Sequence, residues 1–226
     1  MIIAERKPID EILSMIGEAG SVLVAGCATC VADCMAGGER EVGILASALR
    51  IAAHRAGKNV QVIEATVERQ CEREFIEQIR ELVDQVDLVI STACGIGVQA
   101  MAERYRNKPI YPGVNTTFLG LRESENVWAE RCAACGDCTL HITGGICPVA
   151  RCSKSLLNGP CGGSHDGKCE ISDDVACGWH LIVERLEALG QLDRLEVNIP
   201  PKNWATSRDG GPRKIVKEDV SDEERE

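Results

Sequence analysis

Cys132, Cys135 and Cys138 stand at C-x2-C-x2-C spacing, and Cys147-Pro148, Cys152, Cys161, Cys169 and Cys177 follow, so eight of the chain's 13 cysteines fall between Arg131 and Cys177. Thiols at that density act as metal ligands, disulfide partners or redox groups. Two-residue gaps let successive thiolates in a tight loop face one centre, and a Cys-Pro step closes such sets in bacterial ferredoxins. Here eight residues, not three, separate Cys138 from the Cys-Pro step, so the closing part is looser than that motif. Structural zinc more often uses two separated C-x2-C pairs or mixed Cys/His pairs. The triplet therefore favours iron–sulfur chemistry, and eight thiols suit two [4Fe-4S] clusters whose division of ligands the spacing leaves open.

Glycines crowd the same segment: Gly136, Gly144-Gly145, Gly159-Pro160 and Gly162-Gly163. Cluster sulfides need backbone N–H donors at close range, and glycine permits both that approach and a positive φ. Ordinary turns would use the same residues.

The other five cysteines depend on the elements that carry them. Pro8 to Gly17 reads as a short helix with Ile9, Ile12, Leu13 and Ile16 on one face. Ser21 to Ala25 is a buried strand ending at Gly26-Cys27. Glu39 to Ala56 is a helix with Val42, Leu45, Leu49 and Ala53 inward and Gly57 as its cap. Strands at 59–66, 87–92 and 108–111 alternate with helices at 73–86 and 97–104. Such alternation predicts an α/β domain built on an open, parallel, doubly wound sheet, followed by a small cysteine-rich metal-cluster domain. Ligands bind such sheets at the carboxyl ends of their strands, where strand order reverses. Cys27 ends the first strand, Cys71 follows the second and Cys94 ends the third, so all three belong to one edge. Cys30 and Cys34 follow Cys27 by three and seven residues, on one helical face. These five thiols predict a further site, either a [4Fe-4S] cluster or zinc. A packing role, common for single cysteines, fits the group less well. Cys94-Gly95-Ile96-Gly97 follows a strand and opens a helix, but it lacks the third glycine of a dinucleotide fingerprint and belongs to the third strand. Its glycines read better as room for a metal centre.

Composition narrows the class. A formal charge of −10 with no basic stripe speaks against nucleic acid and for a basic protein partner. Hydrophobic residues make up 44% but aromatics only 3%, so the core is aliphatic. No stretch approaches the roughly 20 apolar residues of a membrane span. The first twenty residues lack the flank and apolar run of a signal peptide. Many thiols without a signal point to a reducing, cytoplasmic setting.

The expected layout is an α/β domain over 1–122, a cysteine-rich iron–sulfur domain over 123–195 closing on a helix from Gly178 to Leu189, and an extended tail over 196–226. Residues 115–130 read as the link, with Trp128 packing at the boundary. His165 and His180 lie among thiols, but a solvated or packing role suits them better. The tail has no periodic apolar face, and Trp204 is its candidate anchor for a partner.

Several strings together carry a resemblance. Arg131-Cys132-Ala-Ala-Cys135-Gly-Asp-Cys138, Thr143-Gly-Gly-Ile-Cys147-Pro, Leu157-Asn-Gly-Pro-Cys161-Gly-Gly and Asp166-Gly-Lys-Cys169-Glu resemble the methylenetetrahydrofolate reductase C-terminal family, whose free-standing members are MetV-type small subunits of anaerobic bacteria. Gly26-Cys27-x-x-Cys30, Gln70-Cys71-Glu72, Ala93-Cys94-Gly95-x-Gly97-Val-Gln99 and Asn115-Thr-Thr-Phe-Leu-Gly120 fit as well, so the likeness spans about residues 20–190. The resemblance implies a flavin-bearing catalytic partner that reduces methylenetetrahydrofolate to methyltetrahydrofolate in the methyl branch of acetogenic carbon fixation. It also leaves room for a further electron-donor subunit. This chain would then be a non-catalytic iron–sulfur electron-transfer subunit. Two rival readings stand beside it: a zinc-bound scaffold of the same reductase, and a dithiol protein cycling Cys27-x-x-Cys30.

Overall fold

The computed structural model describes residues 1–215, and within the chain two compact units divide after Ala129. The first runs through β1 (Ile2–Arg6), α1 (Ile9–Ile16), β2 (Ser21–Cys27), α2 (Cys30–Asp33), α3 (Glu39–Arg55), β3 (Gln61–Val67), α4 (Arg73–Glu77), α5 (Arg80–Gln85), β4 (Leu88–Ser91), α6 (Gly95–Arg104), β5 (Ile110–Pro112) and β6 (Val114–Ser124). A last strand, β7 (Val127–Cys132), crosses the divide.

Four strands form a parallel sheet in the order β3-β2-β4-β5. The chain leaves β2 in one direction for β3, then returns past β2 to lay down β4. The reversal between β2 and β4 is the place where such sheets open a crevice at their carboxyl ends. Both faces are covered, which is why the strands read as unbroken apolar runs. Val22, Val24, Leu88 and Ile90 point into one aliphatic layer with Ile12, Val42 and Leu49. Leu23, Ala25 and Val89 point into the other with Ile76, Val83 and Met101. The period of two along each strand assigns alternate residues to opposite layers.

The helices follow from their ends. Glu39 and Glu41 occupy the first turn of α3, His54 and Arg55 its last, the polarity that the helix dipole favours. Gly17 and Gly57, at φ +58° and +70°, supply the left-handed residues just past α1 and α3. The helix expected over 73–86 is interrupted instead. The Tyr105 hydroxyl donates to the Ile76 carbonyl at 2.6 Å, and Ile79 N bonds the same carbonyl, so the α-helical ladder breaks into α4 and α5.

Residues 115–130 are not a link. β6 and β7 form a three-stranded sheet with β1, in the order β1-β6-β7, and β1 pairs antiparallel to β6. Glu125 and Asn126 make the two-residue connection, and Asn126 adopts φ +60°, a conformation asparagine accepts more readily than most residues. β6 is exposed along much of its length, so its sequence shows little apolar alternation.

The second unit has few regular elements: α7 (Pro148–Arg151), the two-stranded pair β8 (Lys168–Cys169) and β9 (Ser172–Ala176), and α8 (Gly178–Ala188). Its small core sets Trp179, Ile182 and Leu186 of α8 against Ile146, Cys152 and Leu156. The segment after 195 is folded rather than extended. Short 3-10 turns at Leu192–Glu196, Trp204–Thr206 and Arg208–Gly210 lead it back onto residues 134–137 and Asn158. The charged end from residue 216, expected to be extended, lies outside the described residues. Among the described residues no helix is long and apolar enough to cross a membrane.

Candidate metal centre

Four segments of the first unit deliver a thiol to one cavity of about 50 Å³. β2 ends on Cys27, α2 starts on Cys30, the loop after β3 presents Cys71, and Cys94 caps the amino end of α6. Ile2, Thr29, Val31, Ala93, Ile96 and Gly97 complete the lining, which contains no charged side chain. Thiolates without competing carboxylates are the donor set that zinc and iron–sulfur clusters take.

The electrostatics agree with that convergence. Burial on one side pushes the Cys71 thiol above its ordinary pKa although the residue is exposed at the rim, and Cys27, Glu72 and Cys94 add like-charge repulsion. Thiolates that oppose one another's ionisation are relieved by a bound cation. As they stand, the thiols share the wall of the cavity without closing on one point: among the described residues, no three Cys, His, Asp or Glu side chains are grouped to hold a metal ion.

Cys34, the fifth thiol expected here, does not line that cavity. It is buried in the apolar cluster that also holds Cys27, together with Ile3, Ala4, Val31 and Ala36, and Cys94 packs against it. Ala4 N donates to its sulfur at 3.5 Å, and the thiol faces the Ala4 and Val31 carbonyls at 3.7 Å. Burial raises its pKa and holds it as the neutral thiol. α2 ends at Asp33, and Met35, at φ +54°, follows Cys34.

Gly97 has a packing reason to be glycine. A Cβ there would lie 2.7 Å from Ala93 Cβ and 2.9 Å from Gln70 Cβ. A wider concavity of about 750 Å³ in this unit is lined by Arg73, Arg80, Arg104, Arg106 and Lys108 together with Asp84 and Glu103, and it holds no thiol.

In the second unit, too, no three Cys, His, Asp or Glu side chains among the described residues are grouped to hold a metal ion. Cys132, Cys138 and Cys161 are exposed, Cys135, Cys147, Cys152 and Cys169 are half-buried, and Cys177 is buried at the start of α8. Three already accept backbone N–H groups at hydrogen-bond range: Cys132 from Ala134 at 3.3 Å, Cys147 from Ala150 at 3.5 Å and Cys161 from Gly163 at 3.4 Å. Amide donors of this kind support thiolate charge. The glycines divide in purpose. Gly162, at φ +78°, opens onto free space beside Cys161, whereas Gly159 makes way for the Trp179 ring and Gly178 for the Arg151 carbonyl. His165 lies beside Asp166 at the surface and His180 beside Glu184, so the structure pairs both histidines with carboxylates.

No curated protein and no solved structure matches the chain. Residues 111–205 match the family model described as Methylene-tetrahydrofolate reductase C terminal, a span that takes in every thiol from Cys132 to Cys177 and stops short of the cavity-lining cysteines of the first unit. The cysteine and glycine strings of the second unit thus lie inside the segment that matches the methylenetetrahydrofolate reductase C-terminal model, and the match is confined to residues 111–205.

Proposed function

We propose that this chain is the iron–sulfur electron-transfer subunit of a methylenetetrahydrofolate reductase, serving the flavin of a separate catalytic partner. The observation that carries the reading is the meeting of Cys27, Cys30, Cys71 and Cys94, from four segments of chain, in one uncharged cavity at the switch point of the sheet. Packing alone gives no reason for four thiols there. These four would hold one cluster, and the thiols from Cys132 to Cys177 would hold two more. Bound, such clusters supply one-electron transfer at potentials that hydrogen bonding and exposure adjust.

The chain's own contribution is to hold and shield the centres. Ala93, Val31 and Ile96 keep the first-unit cavity apolar, and Cys71 at its rim leaves one side near the surface. In the second unit the amides of Ala134, Ala150 and Gly163 are in place to moderate thiolate charge. The matched family description supports the identity of the partner system, and a flavin in another chain suits a sequence with 3% aromatics.

The test is anaerobic purification of the full chain with analysis of iron, acid-labile sulfide and zinc, then EPR after dithionite. The expected result is iron and sulfide in equal amounts, near twelve of each per chain on the estimate of three four-iron clusters, with a signal on reduction. Colourless protein carrying zinc alone would give the scaffold reading in its place.

A further inference from the structure

The three strand-end thiols of the first unit share a neighbour that binds no metal. Pairing between β2 and β4 ends at Ala25 and Ser91. Beyond that point Thr92 still donates its N–H to the Ala25 carbonyl at 2.8 Å, with its hydroxyl 3.2 Å from the same oxygen, and Cys27 and Cys94 follow within three residues of the ladder's end. Gln70, with no exposed surface, adds to that junction. Its Nε2 donates to the Ala25 carbonyl at 2.9 Å and the Gly26 carbonyl at 3.0 Å. Its Oε1 accepts the Ser91 hydroxyl proton at 2.6 Å, and Ser91 Oγ in turn accepts from Ala93 N at 3.3 Å.

We propose that Gln70 is a positioning residue of the first-unit thiol site, its amide working beside the Thr92 bonds to set the separation of Cys27, Cys71 and Cys94. The bonds run close to the thiols: Gly26 precedes Cys27, Gln70 itself precedes Cys71, and Ser91 Oγ carries the contact on to Ala93 N, the residue before Cys94. The amide cannot be reversed without setting its oxygen against two carbonyls, so its orientation is fixed. Neutrality matters as well, because a carboxylate in this place would set a buried negative charge against the Ala25 and Gly26 carbonyls. Gly97 supplies the space, since any Cβ there would press on Gln70 and Ala93 together.

A buried, satisfied glutamine also stabilises a sheet, and a second stitch separates the two roles. At the amino ends of the same strands, Asp87 Oδ2 accepts from Gly20 N at 2.8 Å and Ser21 N at 2.9 Å. Asp87 joins β2 to β4 but lies next to no thiol.

The inference rests on the first-unit thiols holding a metal, and the test separates that premise from the role of Gln70. Full-length wild type, Cys71→Ser, Gln70→Met and Asp87→Ala are reconstituted anaerobically with ferrous iron and sulfide. Iron per chain, the rate of iron loss to a chelator, the EPR spectrum after dithionite and the urea midpoint are then measured. Cys71→Ser identifies the share of iron held by the first unit; if it removes none, the premise fails and the inference with it. Gln70→Met is expected to lose that same share, or to release it at least tenfold faster, with an altered EPR signal from what remains. Asp87→Ala is expected to lower the urea midpoint while keeping wild-type iron and release rate. Ser91→Ala, which removes the partner of Oε1 and the acceptor of Ala93 N but leaves both Nε2 bonds, should show an intermediate release rate and covers the case in which Gln70→Met fails to fold. Wild-type iron retention and release in Gln70→Met, or in Ser91→Ala where Gln70→Met does not fold, would overturn the proposal. So would iron loss in Asp87→Ala matching that of the Gln70 variant.

Discussion

Thr206 donates its hydroxyl proton to the carbonyl of Cys135 at 2.9 Å, fastening the 3-10 turn at Trp204–Thr206 to the middle of the C-x2-C-x2-C loop. Gly136, the next residue, lies at φ +82°, where a Cβ would stand 2.5 Å from the Thr206 carbonyl oxygen. Lys202 donates to the Asp137 carbonyl, with its ammonium 3.4 Å from the Asp137 carboxylate. Arg213 reaches the carbonyls of Ala134 at 2.6 Å and Thr206 at 3.0 Å. Two cations and a hydroxyl thus hold the backbone between three thiols.

Replacing Gly136 by Ala strikes both the left-handed backbone and the contact with Thr206. The expected cost is about 1–3 kcal/mol, read by urea unfolding. Proteolysis should also cut faster after residue 197. An unchanged midpoint with unchanged proteolysis would show that the segment does not hold the loop.

Cys34 and Cys71 separate packing from ligation. Cys34→Ala should keep the wild-type iron content and lose about 1–2 kcal/mol of stability for the small cavity it leaves. Cys71→Ser should lose the iron of one centre with little effect on the metal-free fold, since the residue is exposed. Iron loss in Cys34→Ala would return that cysteine to the ligand set.

Gly97→Ala tests whether the second glycine of Cys94-Gly95-Ile96-Gly97 is there for packing. Crowding against Ala93 and Gln70 should cost about 1–3 kcal/mol and show as faster hydrogen exchange at residues 91–98. Full stability in the variant would favour the reading in which this glycine admits a ligand instead.

Asp87 sets an acid limit. The Ser21 hydroxyl first, then the Ser21 and Gly20 amides, hold its carboxyl below the ordinary value of 3.8. A depressed folded-state pKa gives stability that is complete above the unfolded value and lost as pH falls through the folded one. Asp87→Asn should therefore be less stable than wild type near neutral pH, and the gap should close only as pH falls through the depressed folded-state pKa, below 3.8. Urea midpoints across that range check the convergence, and a gap that persists in acid would mean the carboxylate charge is not the cause.

The sequence by itself determined the parallel α/β domain, because strands buried on both faces are uninterrupted apolar runs such as Ser21–Ala25, and helices announce themselves by period and caps. It also placed the strand-end thiols on one edge, since the carboxyl edge of a parallel sheet collects the residues that follow its strands. Tertiary structure decided that Cys27, Cys30, Cys71 and Cys94 line one cavity while Cys34 bonds Ala4 of β1 instead, a strand that no pattern in the sequence announces. The β6–β7 hairpin escaped notice because its exposed residues carry no core pattern. The fold of the segment from 196 to 215 depends on single long-range bonds from Thr206, Lys202 and Arg213, and such bonds leave no period in a sequence. Gln70 shows the same limit: its chemistry lies in two carbonyls and a hydroxyl at least 21 residues away, which only the folded chain brings within reach.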